Sequence, residues 1–392
     1  MEVCQLYNML KSPGAKLELV SCDSFFGIIF KLHVRNKKYI LKLSLLSDPK
    51  IVYKYGGKKK STDTPDNFLQ EANNQEQIWK ISTVTGLPLC PEVINVWFFD
   101  NENSKSFIAG LNNHRVGDYI LMFFSLLYFN SNNLFGILTD NSSMEIGVIL
   151  MQEIDNSTTL KTLEFQIRHD EYVELSLKAI SKIFLVYIIT GLILYDCHQN
   201  NILVLNESRE VILIDFGQVK NALTGKNFSE YENPQDYATD LETITTLYKS
   251  LLFSDFPLSE QLTPSPQKLK RQGSDEEEYK INFVDFFYQG IIKTQLDDLW
   301  ISGLFPSGNH KIYFAKIFDY LQHYSPKNIE EFNEIKETIK VQKFHKTYFI
   351  YPSSPSSGCS VMGGKKPRKK SRHKKHLIYR RPHTKRAMNK HA

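Results

Sequence analysis

The sequence predicts an α+β fold in which paired strands dominate the first part of the chain and helices the second. Three observations carry that expectation. Apolar residues alternate through Phe26, Ile28, Phe30 and Leu32 and again through Tyr39, Leu41 and Leu43, the period of two that a half-buried strand requires. From Tyr172 through Leu175, Ala179, Ile183, Val186 and Tyr187 the spacing changes to three and four, the period of one helix face. Hydrophobic residues make up 42% of the 392 positions and charged residues 23%, enough apolar material for a sizeable core, which excludes a wholly disordered or fibrous chain.

Taken in order, Leu17 to Leu43 reads as paired strands turning at Arg35-Asn36-Lys37-Lys38. Lys54 to Asn67 is rich in Gly, Lys, Ser and Thr and reads as a loop. Pro65-Asp66-Asn67 is a helix start signal, and Phe68, Ala72, Gln75, Ile78 and Trp79 give the stretch to Ile81 a helical face. Asp100 to Asn113 is polar and reads as irregular. Asn130 to Ser143 is asparagine-rich and interrupts two apolar stretches, and Ile146 to Ile154 reads as a buried strand. Gly191 ends the helical pattern that includes Tyr172, and two short apolar runs follow at Ile202 to Leu205 and Val211 to Ile214. Asp255 to Lys280 is a Pro, Ser and charge-rich insertion, after which Ile281 to Thr338 returns to helical material. Tyr351 to Gly364 is a Pro/Ser/Gly linker, and Lys365 to Ala392 is a basic segment expected to be disordered. The expected division is therefore 1–155, strand-rich with polar insertions; 156–350, helical; and 351–392, linker and tail.

Charge is unevenly divided. Lys365 to Lys390 holds 13 Lys and Arg and no acid, so the net charge of +5 conceals an acidic body. A tail of that density suits phosphate-backbone contacts with nucleic acid, another polyanion, or the acidic body itself. The longest apolar runs, Ile183 to Tyr195 and Tyr119 to Phe129, fall short of the roughly 20 residues a bilayer span needs. Met1 to Ala15 has no apolar signal-peptide core, and the five cysteines form no close pair that would suggest a disulfide framework or a zinc site. A soluble, intracellular protein without membrane partners is the expectation.

The chemistry concentrates in Tyr195-Asp196-Cys197-His198-Gln199-Asn200-Asn201-Ile202-Leu203 and in Val211-Ile212-Leu213-Ile214-Asp215-Phe216-Gly217. Phosphoryl transfer needs oxygen ligands for a hard cation near a carboxylate that can orient a nucleophile. Two loops flanking a hairpin can bring Asp196, Asn201 and Asp215 together for that purpose. An Asp, an Asn five positions later, a short hairpin and a strand ending in Asp-Phe-Gly resemble the catalytic loop and metal-binding motif of the protein-kinase-like superfamily. The resemblance implies a two-lobed fold, with an antiparallel-sheet lobe followed by a helical lobe. It also implies ATP and Mg2+ as cofactors, Asp196 as the acceptor of the substrate hydroxyl proton, and Asn201 and Asp215 as the magnesium ligands. His198, in the form Asp-x-His-x-x-Asn, is similar to the aminoglycoside and choline phosphotransferase branch and can donate to a transferring phosphate.

Within the same resemblance, Tyr39-Ile40-Leu41-Lys42 fits the strand that supplies the ATP-anchoring lysine. Phe68-Leu69-Gln70-Glu71-Ala72 fits the helix that supplies its glutamate, with Glu76 a competitor for Glu71. Cys22 to Ile29 lies where a glycine-rich phosphate loop belongs, yet only Gly27 of three glycines survives, with Cys22 and Ser24 in the other places. Ile149 to Asp155 resembles the strand and hinge that meet adenine, with Gln152 near the gatekeeper place and backbone groups of Glu153 and Ile154 as contacts. Leu194-Tyr195 stands where His-Arg is usual, so no arginine is available to bind a phosphorylated activation loop. Only 24 residues separate Asp215 from Asp240, where Asp240-Leu241-Glu242 would open the central helix of the second lobe, so the activation segment is short.

Function on this reading is transfer of the γ-phosphate to a hydroxyl, in a protein Ser/Thr or in a small molecule. The alternative is a pseudokinase or scaffold whose basic tail binds nucleic acid. The asparagine-rich insert and the run Gly363 to Lys370 resemble proteins encoded by giant nucleocytoplasmic DNA viruses, which implies a site of action in the host cytoplasm or nucleus, or in the virion. Ser274-Asp275-Glu276-Glu277-Glu278 resembles an acidic-directed phosphorylation site.

Overall fold

The computed structural model describes residues 3–22, 27–55, 58–114, 144–221, most of 316–340, and 343–352. These are mixed α and β. A five-stranded antiparallel sheet is built from β1 (Lys16–Ser21), β2 (Gly27–Val34), β3 (Lys37–Leu46), β6 (Val93–Phe99) and β7 (Glu145–Gln152), in the spatial order β1-β2-β3-β7-β6. The β2–β3 hairpin closes in two residues, with Arg35 left-handed at φ 56°, so β3 begins at Lys37, inside the turn the sequence suggested.

Alternation along the strands sends two sets of side chains to opposite faces. Phe30, Leu41, Leu43, Trp97, Val148 and Leu150 form one core with α1 (Val3–Leu10) and α3 (Asn101–Asn112). Leu46, Val96, Phe98 and Ile149 form another with Phe68 and Ala72 of α2 (Pro65–Thr85). Helix α2 is well specified locally. The Thr64 hydroxyl accepts from the Asn67 N–H, Pro65 occupies the first turn, and Gly86 leaves the helix in the left-handed region at φ 71°.

Two segments differ from the sequence expectation. Part of Lys54 to Asn67 forms a hairpin of β4 (Val52–Tyr55) and β5 (Lys58–Ser61). Asp100 to Asn113 is not irregular. Asp100 caps α3 by accepting from the Asn103 N–H at 2.9 Å, and Phe107, Ile108 and Leu111 bury the face that a polar average conceals.

The remaining described elements surround α5 (His169–Thr190), whose buried residues occupy nearly its whole circumference and which ends at left-handed Gly191. Around it lie β8 (Ser157–Thr159), α4 (Leu160–Leu163), β9 (Leu192–Leu194), β10 (Ile202–Leu205), β11 (Val211–Leu213), β12 (Val219–Asn221) and α6 (Ile329–Ile339). Strands β10 and β11 pair as a hairpin with β8 alongside β10, and β9 pairs antiparallel with β12. Phe332, Ile335 and Ile339 of α6 enter the same core as α5 and as Ile78 and Ile81 of α2. Lys182 is fully buried on α5. Its ammonium donates to the carbonyls of Pro88 at 2.6 Å and Val211 at 2.5 Å and pairs with Glu210, which ties the loop after α2 to the β10–β11 hairpin.

Residues 343–352 are not helical, and they belong to the same compact unit as the rest of the described chain, which ends at Ser353, close to the expected boundary at 351. They run extended, with Phe344 in the core under α2 and with Tyr351 stacked edge-on to Tyr7, Phe99 and Phe107. No described helix is long and apolar enough to cross a membrane. The asparagine-rich stretch, Asp240-Leu241-Glu242, the 255–280 insertion, Ser274 to Glu278, most of 281–338 and the basic tail lie outside the described residues.

Candidate functional site

Lys42 stands in the middle of β3, in register with Ile29 on β2 and Ile149 on β7, and on the sheet face that receives α2. Opposite it, Phe68, Glu71, Ala72 and Gln75 lie on one face of α2, and all four are buried. The Lys42 ammonium donates to Glu71 Oε1 at 2.5 Å and lies 3.5 Å from Asp215 Oδ1. Burial disfavours the charge on Lys42, but the two carboxylates outweigh it, and its pKa is raised. Burial pushes the Glu71 carboxyl up, and Lys42 opposes that. The competitor Glu76 points elsewhere, with Oε1 3.5 Å from Lys343 Nζ.

The loop after β9 is held by its own backbone. The Tyr195 N–H donates to the Gln218 carbonyl at 2.9 Å, beside the β9–β12 pairing. The Asp196 carbonyl accepts from the His198 N–H at 3.1 Å and from Asn201 Nδ2 at 2.9 Å, which curls the chain into a short 3-10 turn over Gln199–Asn201. Gln199 anchors that turn inward by donating to the Tyr172 hydroxyl on α5 at 2.9 Å. The Asn201 carbonyl accepts from the Ile214 N–H at 3.0 Å, so the loop and the end of β11 are locked side by side.

Asp215 follows β11 in the left-handed region at φ 63°. That turn brings Oδ1 towards the Gly217 N–H at 3.4 Å and drives Phe216 into the core around α5. A Cβ on Gly217 would lie 3.3 Å from Glu71 Oε2 and 3.4 Å from Asp215 Oδ1, so glycine there lets α2 and the Asp215 turn approach closely. Asp196, Asn201 and Asp215 line one pocket, walled by Ile202 and Leu213 and flanked by Gln218. His198 lies beside it, half exposed, with Nε2 3.5 Å from Asp196 Oδ1.

The structure thus brings together Lys42, Glu71, Asp196, His198, Asn201 and Asp215. Gly27 is placed differently in kind. It is the first residue of β2, where a Cβ would meet the Leu43 carbonyl at 2.5 Å and Ser44 Oγ at 2.8 Å, so close strand packing already requires glycine there. Residues 23–26 lie outside the described residues. Glu153 and Ile154 follow β7 directly. The Glu153 side chain pairs with Lys31, and the Ile154 carbonyl accepts from the Ser157 hydroxyl at 2.8 Å. Gln152 is exposed, its N–H bound to the Glu92 carbonyl at 2.9 Å. Its neighbour Met151 is the one that packs under α2, against Gln75 at 3.4 Å from Sδ. Sequence reasoning missed Met151, although the period of two counted forward from Ile149 could have found it.

Among the described residues no group of three or more His, Cys, Asp or Glu could hold a metal ion. Asn201 and Asp215 offer a different donor set. The Asn201 amide nitrogen is committed to the Asp196 carbonyl, which leaves its oxygen end for a cation, and Asp215 adds a carboxylate in the same pocket. Two protein oxygens suit Mg2+, which keeps several waters and is otherwise held by substrate phosphates. The residues present fit that ion. No protein-family model matches the chain, and no curated protein matches it.

Proposed function

We propose that this chain is an ATP- and Mg2+-dependent phosphotransferase with a two-lobed, protein-kinase-like fold, moving the γ-phosphate of ATP to a hydroxyl acceptor. The observation that carries the reading is the placement of Asp215. Its carboxylate lines a pocket with Asp196 and Asn201 and also lies 3.5 Å from Lys42, which is itself paired with Glu71. A cation site, a carboxylate base and a phosphate-holding ammonium therefore converge from three separate elements.

In this mechanism Lys42, kept protonated by two carboxylates, holds the α and β phosphates. Asn201 and Asp215 hold Mg2+, which when bound neutralises charge on the phosphate oxygens. Asp196 orients the acceptor hydroxyl and takes its proton as the bond from that oxygen to the γ-phosphorus forms and the bond to the β,γ-bridging oxygen breaks, with ADP as the leaving group. His198, 3.5 Å from Asp196, donates to a phosphate oxygen. Glu153 and Ile154 supply backbone contacts to adenine. The Ser/Thr protein kinase and small-molecule branches share this chemistry, and a protein hydroxyl is the acceptor we favour. The basic tail adds a polyanion-binding arm in the host cytoplasm, nucleus or virion.

One observation favours a scaffold with feeble catalysis instead: strand packing alone accounts for Gly27, so no glycine of the phosphate loop is reserved for close approach to phosphate. The two readings separate on Mg2+-dependent ATP consumption or autophosphorylation by the wild type and by Asp215→Ala. Turnover in the wild type that disappears in the variant supports the enzyme. Equal, background turnover in both refutes it.

A further inference from the structure

We propose that residues 343–352 form a clamp that holds the Glu71 half of α2 against the sheet, and that Asn73 and Phe344 are positioning residues for the Lys42–Glu71 pair. The function of that pair rests on the phosphotransferase reading; the clamp does not.

Asn73 follows Glu71 by two residues, so it faces away from Lys42 while sharing the same helical turn. Its side-chain amide makes two bonds to one residue of the extended segment, donating to the Phe344 carbonyl at 3.3 Å and accepting from the Phe344 N–H at 3.2 Å. The Phe344 ring enters the core formed by Phe68 and Ala72 of α2 with Phe98 and Ile149 of the sheet. One residue of the segment therefore grips α2 by its outer amide and wedges it from within. A rotation of α2 by a single residue, about 100°, would break both amide bonds and withdraw Glu71 from Lys42 together.

The grip is anchored on both sides of Phe344. Lys343 donates to the Val93 carbonyl at 3.0 Å and lies 3.5 Å from both Glu76 on α2 and Glu92 ahead of β6. Further along, the Phe349 N–H donates to the Phe98 carbonyl at 2.8 Å on β6, and the Tyr348 hydroxyl donates to Glu145 Oε1 at 2.7 Å on β7. Tyr351 ends the run among Tyr7, Phe99 and Phe107, where a Cβ on Gly110 would lie 2.6 Å from the Tyr351 hydroxyl oxygen. Coulomb attraction in a buried ion pair roughly balances the desolvation of its two members, so the Lys42–Glu71 pair does not by itself fix the helix, and packing from outside must.

The test uses the full chain carrying Phe344→Ala, Asn73→Leu or Phe344→Leu. Without nucleotide, Phe344→Ala and Asn73→Leu should speed hydrogen exchange of the α2 amides around Glu71 by about tenfold or more and leave the β10–β11 hairpin unchanged. Phe344→Leu keeps the backbone bonds and fills the site, so its exchange should stay near that of the wild type. Unchanged exchange in α2, or equal acceleration in β10–β11, overturns the clamp. Mg·ATP binding should weaken about tenfold in Phe344→Ala and Asn73→Leu, with no further loss when either is combined with Lys42→Met. Losses that add to that of Lys42→Met overturn positioning through the pair. A wild type that binds no Mg·ATP refutes the phosphotransferase reading, and the nucleotide-free exchange then decides the clamp alone.

Discussion

Replacing Lys42 by Met removes the cation beside Glu71 while nearly preserving the side chain's apolar stem. Both side chains of the pair are 6% exposed and 2.5 Å apart, and the nearby Asp215 carboxylate also opposes charge on Glu71. Once the ammonium is gone, the buried carboxylate at pH 7 must either stay charged without a partner or take up a proton. Proton uptake sets the ceiling on the cost. From the ordinary carboxyl value of 4.5, pH 7 is about 2.5 pH units away, which at about 1.36 kcal/mol each is about 3.4 kcal/mol. That lies within the range of about 3–5 kcal/mol seen when one member of a buried pair is removed.

The sign of the pH dependence follows. Burial already holds the folded-state pKa of Glu71 above its unfolded value while Lys42 opposes it. Losing the ammonium raises it further, so the variant's folded state binds the proton more tightly and gains stability relative to the wild type as pH falls towards 4.5. The deficit relative to the wild type should therefore be largest at pH 7, up to about 3 kcal/mol, and under about 1 kcal/mol at pH 5. Urea unfolding at both values, followed by fluorescence of the fully buried Trp97, measures it. Adding Glu71→Gln should recover most of the loss at pH 7. No deficit at pH 7, or the same deficit at pH 5, would refute the buried pair as described.

Three further outcomes are expected. Asp196→Asn leaves intact the main-chain carbonyl that accepts from His198 and Asn201, so folding and nucleotide binding should persist while turnover falls about 10²–10⁴-fold; unchanged turnover in a steady-state assay removes Asp196 from the mechanism. Gly27→Ala should cost about 1–3 kcal/mol in urea unfolding without any nucleotide, because its Cβ meets the Leu43 carbonyl at 2.5 Å; an undisturbed midpoint would return this glycine to a role in phosphate approach alone. Deleting residues 360–392 should spare phosphotransfer to a small acceptor. It should abolish nucleic-acid binding that falls steeply between roughly 50 and 200 mM salt, and a retained salt slope in a filter-binding titration would place the polyanion site elsewhere.

Local chemistry determined much of this molecule. The alternation in Phe30, Leu32, Leu41 and Leu43, the Thr64-Pro65 start and Gly86 and Gly191 ends of two long helices, and the spacing of Asp196, Asn201 and Asp215 around a hairpin are all written within a few residues of where they act. Helix α3 was illegible because its cap and three apolar residues are diluted by polar neighbours on the solvent side. Tertiary docking decided the rest. Glu71 and Glu76 are five positions apart, about 140° round the helix, so only the seating of α2 on the sheet selects which one meets Lys42. The same seating turns Met151 rather than Gln152 towards α2. Residues 343–352 carry no period at all, since an extended segment held by Asn73, Phe98 and Asn103 takes its conformation from partners more than 200 positions away in the chain.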